Sequence, residues 1–183
     1  MSTIQTARLT LRPWREDDAE ALFRAASDPE VGPRAGWPAH QSVSESLEVI
    51  RTVFATPETY ALVPRAGEAA GTAVGAAGLK FAETSYLVRG DHEAELGYWL
   101  ARPLWGRGLM PEACAALLGR AFADLGLERV WAGHREGNAQ SRRVMEKLGM
   151  TPSYVRPASE PGEGPEHVLV IERETWLARQ GSR

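Results

Sequence analysis

Apolar residues alternate with polar ones in several short runs of this chain and recur every three or four positions in others, and these two rhythms separate strands from helices. In RLTLRPW (8–14), Leu9 and Leu11 alternate with polar neighbours, as in a half-buried strand. Glu16, Asp17 and Asp18 then place acid at the start of a helix through Ala26, where the helix dipole favours it. Residues 28–41 are rich in Pro and Gly and read as loop. A second helix follows, with Ser42 or Ser44 as cap and Leu47, Ile50, Val53 and Phe54 as its apolar stripe. Residues 59–65 and 72–82 read as the two strands of a hairpin, the second weakened by Gly75 and Gly78. Next come a strand over 93–101, a helix over 111–125 ending at Gly126, a strand over 128–134 and a helix over 139–148 ending at Gly149. Both helices stop on the glycine expected just past a C-terminus. A short strand at 153–156, a loop over 158–166 and a final strand over 167–174 complete the chain. Hairpins mixed with a strand-helix-strand crossover predict an α+β fold whose sheet holds both parallel and antiparallel pairs.

Three segments carry candidate chemistry. The first is LWGRGLMPEA (104–113), between a strand and a helix. Pro111 suits a first helical position because it has no N–H to leave unpaired, and Glu112 suits the dipole. Neither accounts for Gly106 and Gly108, which suggest that something approaches the backbone closely. The N–H groups of Arg107, Gly108, Leu109 and Met110, with the Arg107 side chain and the positive end of the helix, form an anion cradle of the kind that binds phosphate. A plain glycine turn is the competing explanation. GxxxxGK[ST] and GxGxxG are both absent, which disfavours ATP and NAD.

The second segment is HREGNAQSRRVMEKLGM (134–150). Asn138 fits an N-cap, and Ser141, Val144, Met145 and Leu148 fall on one helical face, which puts a hydroxyl on the apolar stripe. Capping alone accounts for Asn138, and a bond back to the preceding turn for Ser141. The third is Glu95, which in a strand points the same way as Glu93, Gly97 and Trp99. An acid in a central strand is costly unless paired or hydrated, so Glu95 is either half of a salt bridge or a general base.

Composition narrows the classes. At 183 residues, 43% hydrophobic and 25% charged, the chain is expected to form a single domain over 1–183. A net charge of -3 gives no basic excess for nucleic acid. No run approaches the ~18 apolar residues of a membrane span and the start has no apolar leader core, so a cytoplasmic protein with no membrane partner is expected. Cys114 stands alone, which excludes an intrachain disulfide, and His40, His92, His134 and His167 lack metal-ligand spacing, so no metal is expected.

The order AELGYWL, WGRGLMPEA, ERVWAGHREGNAQSRRVMEKLGM, after the opening TARLTLRPWREDDAEAL, resembles the GNAT superfamily of acetyl-CoA-dependent N-acetyltransferases, and within it the RimJ/RimL-type branch. The resemblance is most specific over 93–150. It implies a mixed sheet of six or seven strands with about four helices, splayed between the strands at 94–101 and 128–134 to admit the pantetheine arm of acetyl-CoA. The family pattern [QR]xxGx[GA] falls on Trp105 to Met110: Gly108 matches, Trp105 stands in place of Gln/Arg, and Met110 in place of a small residue. By resemblance, Tyr98, Trp99 and Leu100 bond the pantetheine amides, Trp105, Gly106, Arg107, Gly108, Leu109 and Met110 the pyrophosphate, and Asn138 and Ser141 the far side of the arm.

An amine is mostly protonated at neutral pH and needs a proton acceptor before it can attack, and Glu95, through a water, is the expected base. A strand N–H near Trp99 is the expected oxyanion donor. The CoA thiolate gains from a proton, and both Ser141 and Tyr154 are candidates to give it, on the model of the family. Cys114, in an alanine-rich helix, reads as a buried inert thiol, which favours direct transfer in a ternary complex over a covalent route. The expected acceptor is a primary amine, whether a protein N-terminus, a peptide or an amino-acid-like small molecule, resting among Trp37, the 42–54 helix and the 158–166 loop. Two alternatives stand beside it. One is an aminoglycoside-type acceptor drawn by Glu160, Glu163 and Glu166; the other is a non-catalytic acyl-CoA-binding module. The sequence leaves room for a homodimer.

Overall fold

The rhythm of the sequence becomes eight strands and six α-helices among the described residues, 2–158 and 164–181 of a computed structural model. In chain order they are β1 (Ile4–Gln5), β2 (Leu9–Pro13), α1 (Ala19–Ala26), α2 (Gly32–Ala35), α3 (Val43–Thr52), β3 (Thr59–Pro64), β4 (Gly75–Lys80), β5 (Glu93–Leu100), α4 (Leu109–Gly119), β6 (Arg129–Arg135), α5 (Ala139–Leu148), β7 (Thr151–Arg156), β8 (Glu166–Glu172) and α6 (Arg173–Gly181). They form one mixed sheet in the order β1-β2-β3-β4-β5-β6-β8-β7. None of these helices is long and apolar enough to cross a membrane.

Contacts divide the chain into two compact units, Met1–Leu79 with Gly97–Ala116, and Lys80–Leu96 with Leu117–Arg183. In the first, β1 through β4 run antiparallel, each to the next. The expected hairpin is therefore present as β3 and β4. The apolar faces of α1 and α3 supply Leu22, Ala26 and Ile50 to a core that also holds Trp14, Val63, Ala76 and Trp99. Ser42 is the N-cap of α3, its hydroxyl accepting the Glu45 N–H at 3.0 Å. The stripe differs from expectation at one place: Val53 is 57% exposed, and Val49 packs on the core instead. Val53 is the C-cap of α3, its N–H still donated to the Val49 carbonyl at 2.9 Å, one turn beyond the packed Val49.

The acid run 16–18 forms a 3-10 turn, and α1 starts after it. Asp18 is bound by both Nη atoms of Arg12 through two bonds of 2.7 Å, and both side chains are nearly buried. Asp18 thus ties β2 to the first helix instead of lying free at a dipole end. Gly75 has a packing reason. A Cβ there would lie 2.5 Å from the Trp99 carbonyl oxygen and 3.1 Å from the Leu100 Cα, so β4 approaches β5 only without a side chain. Gly75→Ala should cost about 1–3 kcal/mol, the range of overpacking, read as a lower denaturant midpoint at unchanged slope. An unchanged midpoint would show that the strands have slack.

In the second unit, β5 pairs parallel with β6 through Glu93–Glu95 against Arg129–Trp131; β6 pairs antiparallel with β8, and β8 with β7. The expected mixture of parallel and antiparallel pairing holds. The element count exceeds expectation. β1 and α2 are too short to show a period. The expected strand over 167–174 stops at Glu172, where the Arg173 N–H turns to the Glu128 carbonyl at 2.9 Å and α6 begins. One buried residue, Trp176 against Phe122 with ring centroids 6.3 Å apart, anchors that polar helix. A single anchor leaves no stripe to read.

Candidate active site

In the second unit, β5 sets Glu95 among neighbours that separate sequence windows do not reveal. The Ser85 hydroxyl donates to Glu95 Oε2 at 2.6 Å, and Lys80 Nζ donates to Oε1 at 3.2 Å. Ser85 Oγ in turn accepts the N–H groups of Leu87 and Val88 at 3.0 and 3.3 Å, which fixes the hydroxyl as a donor towards the carboxylate. Glu95 is nearly buried, with 10% of its side chain exposed, whereas Lys80 is half exposed at 50%. The salt-bridge reading of Glu95 is therefore met, by a cation that covers the carboxylate from the solvent side.

Glu93, two residues earlier on the same strand, is structural. It accepts from Arg129 Nη1 and from the Trp131 indole N–H, each at 2.9 Å. Burial raises its carboxyl, but the bonds from Trp131, the Arg89 N–H and Arg129 outweigh that and hold it below the usual range. The Trp131 ring then meets the Tyr154 ring edge-on at 6.1 Å, and the Arg89 guanidinium lies 5.9 Å from the Tyr154 centroid. Tyr154 is thus linked through Trp131 to the acidic strand. Ser141 sits in the first turn of α5, its N–H donated to the Asn138 Oδ1 at 3.1 Å, so Asn138 is the N-cap expected.

In the first unit, Gly106 and Gly108 have φ of +75° and +74°, in the left-handed region that glycine favours. Among the described residues no atom lies within 4 Å of the place of a Gly106 Cβ, and only Arg8 Nη2, at 3.6 Å, near that of Gly108. The bend is open on that side. Leu109 and Met110 bury their side chains while Arg107 is exposed, so the bend offers main chain and one guanidinium. α4 begins at Leu109 and not at Pro111, which stands within the first turn, where its lack of an N–H is equally harmless. The Trp105 side chain acts locally. Its indole N–H donates to the Leu100 carbonyl at 2.7 Å and pins the bend to the end of β5.

Arg8 and Thr6, which carried no functional reading, hold the start of α4. Arg8 Nε donates to Glu112 Oε2 at 2.7 Å, its N–H and the Thr6 hydroxyl reach Oε1 at 2.8 and 2.6 Å, and Arg8 Nη1 donates to the Arg107 carbonyl at 2.8 Å. Burial raises the Glu112 carboxyl, and these bonds prevail to keep it low. The opening TARL motif is the only trace of this clamp in the sequence.

Trp99 and Trp37 belong to one aromatic cluster. Trp99 lies 6.4 Å from Trp14 and 5.7 Å from Trp37, and Trp37 lies 5.2 Å from His40. The His40 Nδ1 meets the buried Ser46 Oγ at 2.8 Å. Cys114 is fully buried, and burial pushes its thiol far up. Among the described residues no group of His, Cys, Asp and Glu has a metal-binding arrangement. Of the loop acids, Glu166 is engaged by Arg156 at 2.9 Å and by the Tyr86 hydroxyl at 3.0 Å, while Glu160 and Glu163 lie outside the described residues.

Residues 8–151 match the sequence profile of the acetyltransferase (GNAT) domain. An uncharacterized N-acetyltransferase of Bacillus licheniformis, p20, is 27% identical over 153 residues, 81% of this chain and 82% of its own. The crystal structure of a GNAT-family acetyltransferase from Bacillus anthracis superposes with a TM-score of 0.79 at 24% identity, over 94% of this chain and 99% of that one. Mycobacterium smegmatis RimJ, in complex with CoA-disulfide, gives 0.68 at 23% identity, over 94% and 89%. The domain match spans well over half of the sequence, and the protein belongs to the GNAT acetyltransferase family.

Proposed function

We propose that the protein, acting as one domain over 1–183, moves the acetyl group of acetyl-CoA directly to a primary amine in a ternary complex, as an enzyme of the RimJ/RimL-type branch. The acceptor is a protein N-terminus, a peptide or an amino-acid-like small molecule. The observation that carries this reading is the Glu95 carboxylate, nearly buried, fixed by Ser85 and already holding an ammonium at 3.2 Å. Such a group takes the proton that an alkylammonium must lose before it can attack. Support for the cofactor comes from the family and from RimJ of Mycobacterium smegmatis, which holds CoA-disulfide.

The roles follow residue by residue. The main chain of residues 105–110, with Arg107, holds the pyrophosphate at the open bend; Gly106 and Gly108 let the backbone take that path. Tyr98, Trp99 and Leu100 bond the pantetheine arm, with a strand N–H near Trp99 for the oxyanion, and Asn138 and Ser141 lie on its far side. Either Tyr154 or Ser141 returns a proton to the CoA thiolate. Trp37, in the aromatic cluster, contacts the acceptor. A polycationic antibiotic is less well supported, because Glu166 is spent on Arg156 and Tyr86.

Calorimetry with acetyl-CoA, followed by thiol release over N-terminal peptides, amino acids and an aminoglycoside, tests the reading. Binding and turnover of free amino termini are expected, with Tyr154→Phe and Ser141→Ala compared at several pH values. The true acid loses kcat by about 10²-fold or more, and its partner keeps most of its rate. Binding without thiol release for any amine would leave the acyl-CoA-binding module as the answer.

A further inference from the structure

Lys80 is one of two lysines in the chain, and its ammonium stands where an acceptor's would stand relative to Glu95. We propose that Lys80 is a self-acetylation site: the protein transfers acetyl from bound acetyl-CoA to its own Lys80 Nζ when no external amine is present. This rests on the transferase reading above, because the thioester has to lie beside Glu95.

Three observations carry it. Lys80 Nζ donates to Glu95 Oε1 at 3.2 Å, so the amine that would react is already hydrogen-bonded to the base that would deprotonate it. Glu95 is held on its other oxygen by Ser85, which is itself braced by the N–H groups of Leu87 and Val88, so the carboxylate does not swing away when the lysine moves. Lys80 is the last residue of β4, its main chain fixed by the strand and its side chain half exposed, so the ammonium is anchored at its root and free to travel at its tip.

The step balances without any further reagent. Glu95 takes a proton from Lys80 Nζ, the neutral nitrogen attacks the thioester carbonyl carbon, a C–N bond forms, the C–S bond breaks, and CoA leaves as a thiolate that takes up a proton. The sum is one acetyl-lysine, one CoA thiol and one proton released. The product amide carries no charge, so the ion pair that covers Glu95 is lost and the carboxylate is uncovered towards solvent.

Lys147 is an internal control. It is exposed on α5 and, among the described residues, has no carboxylate partner, so it reports the uncatalysed reaction of a lysine with the thioester in the same tube. The full chain is incubated with acetyl-CoA and no amine, and acetylation at the two lysines is followed by peptide mass spectrometry in the wild type, Glu95→Gln and Lys80→Arg. Lys80 is expected to be modified about 10²-fold faster than Lys147, the low end of what a positioned base gives. Glu95→Gln should bring Lys80 down to the Lys147 rate, and Lys80→Arg should abolish incorporation above that background. Equal rates at the two lysines, or undiminished Lys80 acetylation in Glu95→Gln, overturn the inference. Parallel thiol-release assays with N-terminal peptides separate the two claims: Glu95-dependent turnover of peptides by a protein whose Lys80 stays unmodified in the amine-free incubation removes the self-acetylation and leaves the transferase, whereas no uptake of acetyl-CoA by calorimetry removes both.

Discussion

Replacing Glu95 by Gln is expected to lower kcat about 10²- to 10⁴-fold, the contribution of a positioned general base, with little change in acetyl-CoA affinity. Glutamine has the same shape, its carbonyl can still accept from Ser85, and Lys80 is exposed enough for water to solvate its charge, so the fold should survive. The pH dependence makes the test specific. With Gln at this position, the reaction depends on the fraction of amine already deprotonated in solution, which rises about tenfold per pH unit below the amine's own pKa. The wild type, which deprotonates bound ammonium itself, gains less over the same range. The deficit of Glu95→Gln should therefore shrink as pH rises towards the acceptor's pKa. A deficit of constant size at every pH would mean that Glu95 holds the acceptor or the fold and is not the base.

What the sequence revealed of this molecule was what is decided locally. The alternation over 93–100 gave β5, and Asn138 with Gly149 marked both ends of α5, because strand faces and helix caps are set by residues a few positions apart. The partners of Glu95 were hidden for the opposite reason. Lys80 and Ser85 reach it across 15 and 10 residues through a segment of turns with no period, and the clamp of Arg8 on Glu112 spans 104 residues. Both are tertiary contacts that leave no mark on a short window. The same holds for Asp18, legible as a helix-start acid but bound by Arg12, and for Gly75, legible as a weak strand residue but required by the Trp99 carbonyl. Trp105 shows how a departure from a family pattern acquires a physical reason. A residue that reaches back to the Leu100 carbonyl holds the bend from its own side, and the bend offers a ligand its main chain beside the Arg107 guanidinium.

Those main-chain contacts give the second large expected effect. Gly106→Ala should raise KM for acetyl-CoA about 10- to 100-fold, as expected if one charge-assisted N–H to phosphate bond worth ~1.5–3 kcal/mol is lost, at ~1.4 kcal/mol per tenfold. The difficulty is that alanine at φ +75° is strained whatever binds there, so a loss of activity alone would say only that the bend was disturbed. Gly67 supplies the comparison. It belongs to the same unit, has φ +88°, and likewise has no atom of the described residues within 4 Å of the place of its Cβ. Gly67→Ala and Gly106→Ala should therefore lose similar stability, about 1–2 kcal/mol from the left-handed backbone. Only Gly106→Ala should weaken the coenzyme, because only there would the new methyl group, or the rearranged amides, stand at the proposed diphosphate site. Equal stability losses with an unchanged KM in both variants would mean that the diphosphate does not use this bend, and that Gly106 and Gly108 are there to turn the chain from β5 into α4.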